Sequence, residues 1–450
     1  MSNNTRFSMM SDWESNAAPD APSAPGTLKE AGLTNSFVCE LLLKTIYTRG
    51  TMLGRDLAQT LCLPFKIIHQ PLRFLKDEKH LQIDGGDLVG EVSYRFSLTD
   101  FGRKRAEDAN RQCSYVGPAP VPLEDYVEQC YRQTVTGMQC YPETLQTPFG
   151  HLVLREELFN AIGPAIISGK SVFVYGPPGN GKTAIARAIG DFMNTAGGSI
   201  YIPHAFVADG NIVTVYDPSL HVADNEVDSE AGDPDAAVKR LLSDGATDTR
   251  WVRCRRPVIV TGGELDLPML DLKYVEEAKF YQAPIHFKAN GGVFLIDDFG
   301  RQKCSVKDLL NRWILPLEDR HDFLTVASGK KFQVPFEQLI IFSTNLDPKS
   351  LVDDAFLRRI RHKVEILAPQ PDVYQKIFFS VCKKLGMNYD QSSVEYMYER
   401  YYDRGRTPRA SDCRDLLEIV QSICRYRRQP VHLTRDLIAE ASASFIAEFQ

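Results

Sequence analysis

The segment Gly176-Pro177-Pro178-Gly179-Asn180-Gly181-Lys182-Thr183 meets the pattern G-x-x-x-x-G-K-[ST] at every fixed position. Few short stretches constrain a chain so tightly, because this one needs a strand before it and a helix after it. Both are legible. Ser171-Val172-Phe173-Val174-Tyr175 is a short apolar, β-branched run, and Ile185, Ala188, Ile189 and Phe192 recur at helical spacing in the alanine-rich stretch that follows. Glycines let the backbone curve until its N–H groups point inward at an anion, and the new helix adds the positive end of its dipole. On this reading the stretch from Gly176 to Ala184 cradles a polyphosphate, Lys182 reaches the outer phosphates, and the Thr183 hydroxyl ligates Mg²⁺. The expected ligand is a nucleoside triphosphate.

Composition narrows the rest. A chain of 450 residues, 43% of them hydrophobic, has material for about two or three cores. No run approaches the roughly 18 apolar residues needed to cross a bilayer, so no membrane span is expected. No basic segment with an apolar stretch and a small-residue cleavage site opens the sequence, and the expected location is the cytoplasm. The ten cysteines stand singly from Cys39 to Cys424 without a C-x-x-C pair, the usage of a reducing compartment. A net charge of −6 argues against the whole molecule being an electrostatic glove for nucleic acid.

Composition also divides the chain. Residues 1–30 are rich in Asn, Ser, Ala and Pro and read as a disordered tail. A compact module follows over 34–110. Residues 111–125 contain Pro118, Pro120 and Pro122 and read as an extended, semi-rigid linker. The expected α/β nucleotide-binding domain spans 126–368, and a helical lid spans 369–450.

Gly291-Gly292 precedes Val293-Phe294-Leu295-Ile296 and then Asp297-Asp298, the pattern of a buried parallel strand with acids at its C-terminal end. Asp297 is the expected Mg²⁺ partner, and Asp298 stands where a carboxylate orients and deprotonates an attacking water. Asp298-Phe299-Gly300 also spells a kinase triplet, but the other kinase signatures are missing. Ile340-Ile341-Phe342-Ser343-Thr344-Asn345 reads as a third buried strand. Asn345 is placed to hydrogen-bond a γ-phosphate or the water. Before it, Phe323 to Ala327 and Lys331 to Pro335 flank Ser328-Gly329-Lys330, the pattern of a hairpin.

Together these motifs resemble the AAA+ ATPase superfamily in order and spacing, from about Pro142 to the C-terminus. The resemblance implies an α/β P-loop NTPase core, a parallel sheet with flanking helices, followed by a helical lid. Within the superfamily, 287–297 and the hairpin before Asn345 are similar to the pre-sensor-1 hairpin branch, which holds enhancer-binding activators and MoxR-type ATPases. The G-A-F-T-G-A loop of the activators is absent. The resemblance implies ATP and Mg²⁺ as ligands and assembly into a homo-oligomeric ring, commonly of six. It also implies an arginine supplied in trans, Arg359 first and Arg358 as alternate, and a sensor on the lid at Arg409.

Between the phosphate motifs lies a long stretch, 201–290. Its middle, Asp224 to Asp248, is acidic and reads as a surface loop. Residues 272–281 read as an amphipathic helix, with Tyr274, Phe280 and Tyr281 as candidate pore aromatics weighed against core packing.

In the N-terminal module, helical patterns near Phe37 to Ile46, Leu53 to Leu61 and Phe65 to Leu75 precede Leu81-Gln82-Ile83, an Asp84-Gly85-Gly86-Asp87 turn, a strand over 92–98 and a helix from Thr99. This order resembles a winged helix-turn-helix. Its charge is nearly balanced, with 11 Lys/Arg against 10 Asp/Glu over 34–110, and Pro71 interrupts the third helix. Protein docking is therefore the leading reading, with DNA contact through Lys66, Arg73 and Lys76 as the other. The order of parts resembles a bacterial group described as predicted ATPases with chaperone-like activity. The expected function is ATP-driven remodelling of a protein client; the alternative is an ATP-regulated DNA-binding transcription regulator.

Overall fold

The computed structural model describes residues 20–86, 90–224 and 247–446. Its centre is a five-stranded sheet in the order β10 (Val258–Thr261), β13 (Val293–Ile296), β16 (Leu339–Thr344), β5 (Ser171–Tyr175) and β17 (His362–Glu365). Every pair in it is parallel. Strands buried on both faces need apolar side chains at successive positions, which is why these runs read as continuous hydrophobic stretches. Val172, Val174, Leu295 and Ile341 pack on one face with Ile185, Ile189 and Phe192 of helix α8 (Lys182–Gly197). Phe173, Phe294, Ile340 and Phe342 pack on the other with Phe299, Leu309 and Trp313. This is the α/β P-loop architecture expected from the sequence, and helices from Pro371 to Phe445 follow it with a core of their own.

The N-terminal module holds helices α1 (Asn35–Arg49), α2 (Gly54–Leu61), α3 (Phe65–Asp77) and α4 (Asp100–Gln112). They pack with an antiparallel sheet in the order β1 (Met52–Leu53), β3 (Tyr94–Leu98), β2 (Leu81–Gly86). Thr99 caps α4 by accepting from the Gly102 N–H. β2 runs on to Gly86, so residues 84–86 of the expected turn are strand, and residue 87 lies outside the described residues.

A second five-stranded sheet joins this module to the nucleotide core. Its order is β11 (Lys273–Val275), β12 (Phe280–Gln282), β8 (Asn211–Thr214), β7 (Ala205–Ala208), β4 (Val121–Pro122). It overturns one expectation. Residues 272–281 form the β11–β12 hairpin, not a helix, because Tyr281 and Gln282 pair with Val213 and Thr214. Short apolar runs do not distinguish the two, and the neighbouring strand decides. Phe280 meets Tyr115 edge-on at 5.6 Å, and Tyr281 is buried, so both are packing residues; Tyr274 remains half exposed. The proline-rich segment is packed against its neighbours. Ala119 and Val121 are fully buried, and Val121 pairs with Phe206.

Part of the expected tail is ordered too. Residues 1–19 lie outside the described residues, but the Pro22 carbonyl accepts from the Asp248 N–H at 2.7 Å. Asp248 and Arg250, 3% and 2% exposed, form a buried ion pair at 2.8 Å. Arg250 also donates to the carbonyls of Ala31 (2.8 Å) and Pro120 (3.2 Å), fastening the N-terminal segment and the linker to one point. Buried carbonyls need donors, and apolar composition alone does not reveal where they come from. Of the expected acidic loop, residues 225–246 lie outside the described residues.

Two strand pairs complete the core. β6 (Ile200–Pro203) and β9 (Trp251–Cys254) are antiparallel, as are β14 (His321–Thr325) and β15 (Lys331–Pro335), the hairpin expected around Ser328-Gly329-Lys330. Among the described residues no helix is long and apolar enough to cross a membrane.

Candidate nucleotide site

β5 ends at Tyr175 and α8 begins at Lys182, so residues 176–181 form the connecting loop. Gly176 has φ +136°, and a Cβ on it would lie 2.2 Å from the Ile366 carbonyl oxygen. Only glycine fits there. Lys182 folds back over the loop, with Nζ donating to the carbonyls of Gly176 (3.0 Å) and Pro177 (2.9 Å) and to Asn345 Oδ1 (2.6 Å). Burial pushes its ammonium below the ordinary lysine value, with the Asp297 and Asp298 carboxylates opposing that shift.

The strand order explains why these residues meet. β16 lies between β5 and β13, so Asn345, just past its end, falls between the loop and the acid pair. Thr183 Oγ1 donates to Asp297 Oδ2 at 2.6 Å. Asn345 Nδ2 donates to Asp298 Oδ1 at 3.0 Å. Asp298 has φ +50°, a left-handed conformation unusual for a residue with a side chain. The chain turns there because Phe299 is fully buried and its N–H donates to the Ser343 carbonyl at 2.7 Å. Gln302 Nε2 steadies the turn by donating to the Asp297 carbonyl at 3.0 Å.

Thr183, Asp297, Asp298, Asn345 and Lys182 thus line one cavity of about 950 Å³. Its other wall is apolar, built from Leu152, Val153 and Leu154 before helix α7 (Glu156–Ser168), from Leu367 just before the lid and from Ile377 in the first lid helix. Helices α5 (Leu123–Arg132) and α6 (Pro142–Phe149) precede this segment. No fixed spacing marks the apolar wall, so motif reading passes over it. Two buried polar atoms of lining residues, Arg155 Nη2 and Asn180 Nδ2, have no partner among the described residues.

The lid contributes Ala410, Ser411 and Arg414 to the lining. Arg409 itself is exposed beside the loop, its Cδ 3.4 Å from where a Cβ on Gly179 would stand. Arg414, one turn along the same helix and paired with Asp415 at 2.8 Å, was not singled out by the sequence pattern. Arg358 and Arg359 are not brought to this cavity. The Arg359 carbonyl accepts from Ser171 Oγ at the far end of β5, and its Nε pairs with Glu318 at 2.6 Å.

A family described as a domain of unknown function (DUF8689) matches residues 370–444, which is the lid. Comparison with curated proteins gives no match. Among solved structures, the Thermotoga maritima RuvB Holliday junction branch migration motor is similar at 15% identity, covering 68% of this chain and 70% of that one, with a TM-score of 0.35. Domain III of the Thermotoga maritima replication initiation protein DnaA is similar at 13% identity, covering 68% of this chain and 99% of that one, with a TM-score of 0.34. Likeness this remote adds nothing to what the strand order already shows.

Proposed function

We propose that this chain is a magnesium-dependent ATPase of the AAA+ type that works as a ring and remodels a protein client. The observation that carries the reading is the hydrogen-bonded path from Lys182 through Asn345 to Asp298, laid across the mouth of a phosphate loop. A triphosphate seated on the N–H groups of residues 176–184 sets its outer phosphates against Lys182, whose ammonium neutralises charge that develops there. The apolar wall at Leu152 to Leu154 and Leu367 suits the flat face of a base.

The residues present fit a magnesium ion carried in with phosphates. Thr183 and Asp297 offer two oxygen ligands side by side, and such sites take their remaining ligands from phosphate and water. When bound, the ion would neutralise charge on the phosphates. Asn345 donates to one carboxylate oxygen of Asp298, and the other carboxylate oxygen is left to orient the attacking water and accept its proton. Aspartate is shorter than the glutamate usual at this place, and a displacement of about 1 Å can cost roughly 10²-fold in rate.

Arg359 lies beyond reach of its own cavity, as an arginine serving a neighbouring protomer would. Docking of a protein client is favoured over DNA reading by Phe74 and Phe101, 48% and 73% exposed on a module of nearly balanced charge. Phosphate release by the purified chain tests the reading: it requires release that depends on magnesium. A chain that hydrolyses no nucleoside triphosphate with magnesium present contradicts it.

A further inference from the structure

The lid helix Ala410–Tyr426 starts against the phosphate loop without a cap of its own. Arg409, its N-cap residue, makes no side-chain cap hydrogen bond. The first donors are satisfied from outside the lid: Asn180 Oδ1 accepts from the Ala410 N–H at 3.1 Å, and the Gly179 carbonyl accepts from the Ser411 N–H at 2.8 Å. An N-cap acceptor normally comes from the residue just before the helix. Here it comes from 230 positions away. The approach is close enough that a Cβ on Gly179 would stand 2.5 Å from Ser411 Oγ. Asn180 itself is only 7% exposed, lines the cavity, and keeps its Nδ2 buried with no acceptor among the described residues.

We propose that Asn180 is a positioning residue that couples the lid to the phosphates: Oδ1 caps the lid helix while Nδ2 donates to an oxygen of the bound nucleotide. The capping half stands on the geometry alone; the phosphate half rests on the nucleotide reading above. Without nucleotide the amide is satisfied at one end only. A phosphate oxygen supplies the missing acceptor, fixes the amide plane, and so tightens the lid helix on the loop.

Amide hydrogen exchange on the full-length protein tests both halves. Without nucleotide, Asn180→Ala should raise exchange at residues 410–412 by roughly fivefold to tenfold, the size expected for a lost cap, while the β13 peptide stays protected and reports an intact fold. Asn180→Asp keeps an acceptor and should restore the slow rate. Unchanged exchange in Asn180→Ala overturns the cap. With magnesium and ADP, 410–412 should slow further in the wild type and not in Asn180→Asp at nucleotide concentrations that saturate each. Nucleotide protecting the loop at 176–183 while leaving 410–412 unchanged overturns the phosphate half alone. A wild type whose loop gains no protection overturns the nucleotide reading and that half with it, leaving the cap to its own test.

Discussion

Lys182 Nζ and Asn345 Oδ1 lie 2.6 Å apart although 163 positions separate them. The contact exists because β16 is inserted between the strand that precedes the phosphate loop and the strand that carries the acids. It makes Asn345 a bridge between the Lys182 ammonium and the Asp298 carboxylate, to which its Nδ2 donates at 3.0 Å.

In the proposed mechanism Asp298 accepts the proton of the attacking water. Asp298→Asn keeps the side-chain size and the Asn345 neighbour but removes the base. Turnover should fall about 10²- to 10⁴-fold with nucleotide affinity retained. Phosphate release and fluorescent-nucleotide binding on the same sample check it, and normal hydrolysis moves the role to another residue.

Arg359 is held by Glu318 and contacts Ser171 at the start of β5, the end opposite its own loop. If it serves a neighbour, Arg359→Ala should lose about 10³- to 10⁵-fold in turnover while binding nucleotide normally. Mixing it with a Lys182→Ala chain should recover partial activity at hybrid interfaces. No recovery at any mixing ratio speaks against a trans role.

Arg250 fastens the N-terminal segment, the linker and β9 through Asp248, Ala31 and Pro120. Arg250→Ala leaves Asp248 buried without its cation, which costs about 3–5 kcal/mol. Urea unfolding measures the loss. Limited proteolysis should then cut near 111–120 first, where the wild type resists.

Asp322 sits 3% exposed between His286 (3.0 Å) and Arg312 (2.6 Å) at the root of the β14–β15 hairpin. Burial alone raises its carboxyl, but the His286 ring and the Arg312 guanidinium outweigh that and hold it below the ordinary value. A carboxyl with a lowered folded-state value stabilises fully above the unfolded value, about 3.9, and loses that contribution as pH falls through the lowered one. Asp322→Ala should therefore cost about 3–5 kcal/mol near neutral pH, with the gap to wild type closing below about pH 4. Urea midpoints across pH check the trend; a constant gap contradicts it.

The legible parts of this chain are those where chemistry fixes residue type at a fixed spacing. Gly176 must lack a Cβ because of the Ile366 carbonyl, and Asp297 must follow a buried strand, so both announce themselves in sequence. The central sheet is legible for a similar reason, since strands buried on both faces are apolar throughout. Residues 272–281 misled because Tyr274, Phe280 and Tyr281 fit a helix face as well as a hairpin, and only pairing with β8 decides. The prolines at 118–122 predicted extended backbone without revealing that Arg250 and Phe206 would cover it. Arg414 and the Leu152 to Leu154 wall lie in no motif, because packing and not spacing brings them to the cavity.

Isothermal titration of magnesium and ATP into the wild type and Lys182→Ala tests the central claim most directly. Removing a buried, hydrogen-bonded ammonium from a polyphosphate site costs about 2–5 kcal/mol, so affinity should fall roughly thirtyfold or more. Binding of equal strength in both proteins, or heat of binding in neither, would contradict a triphosphate site at residues 176–183.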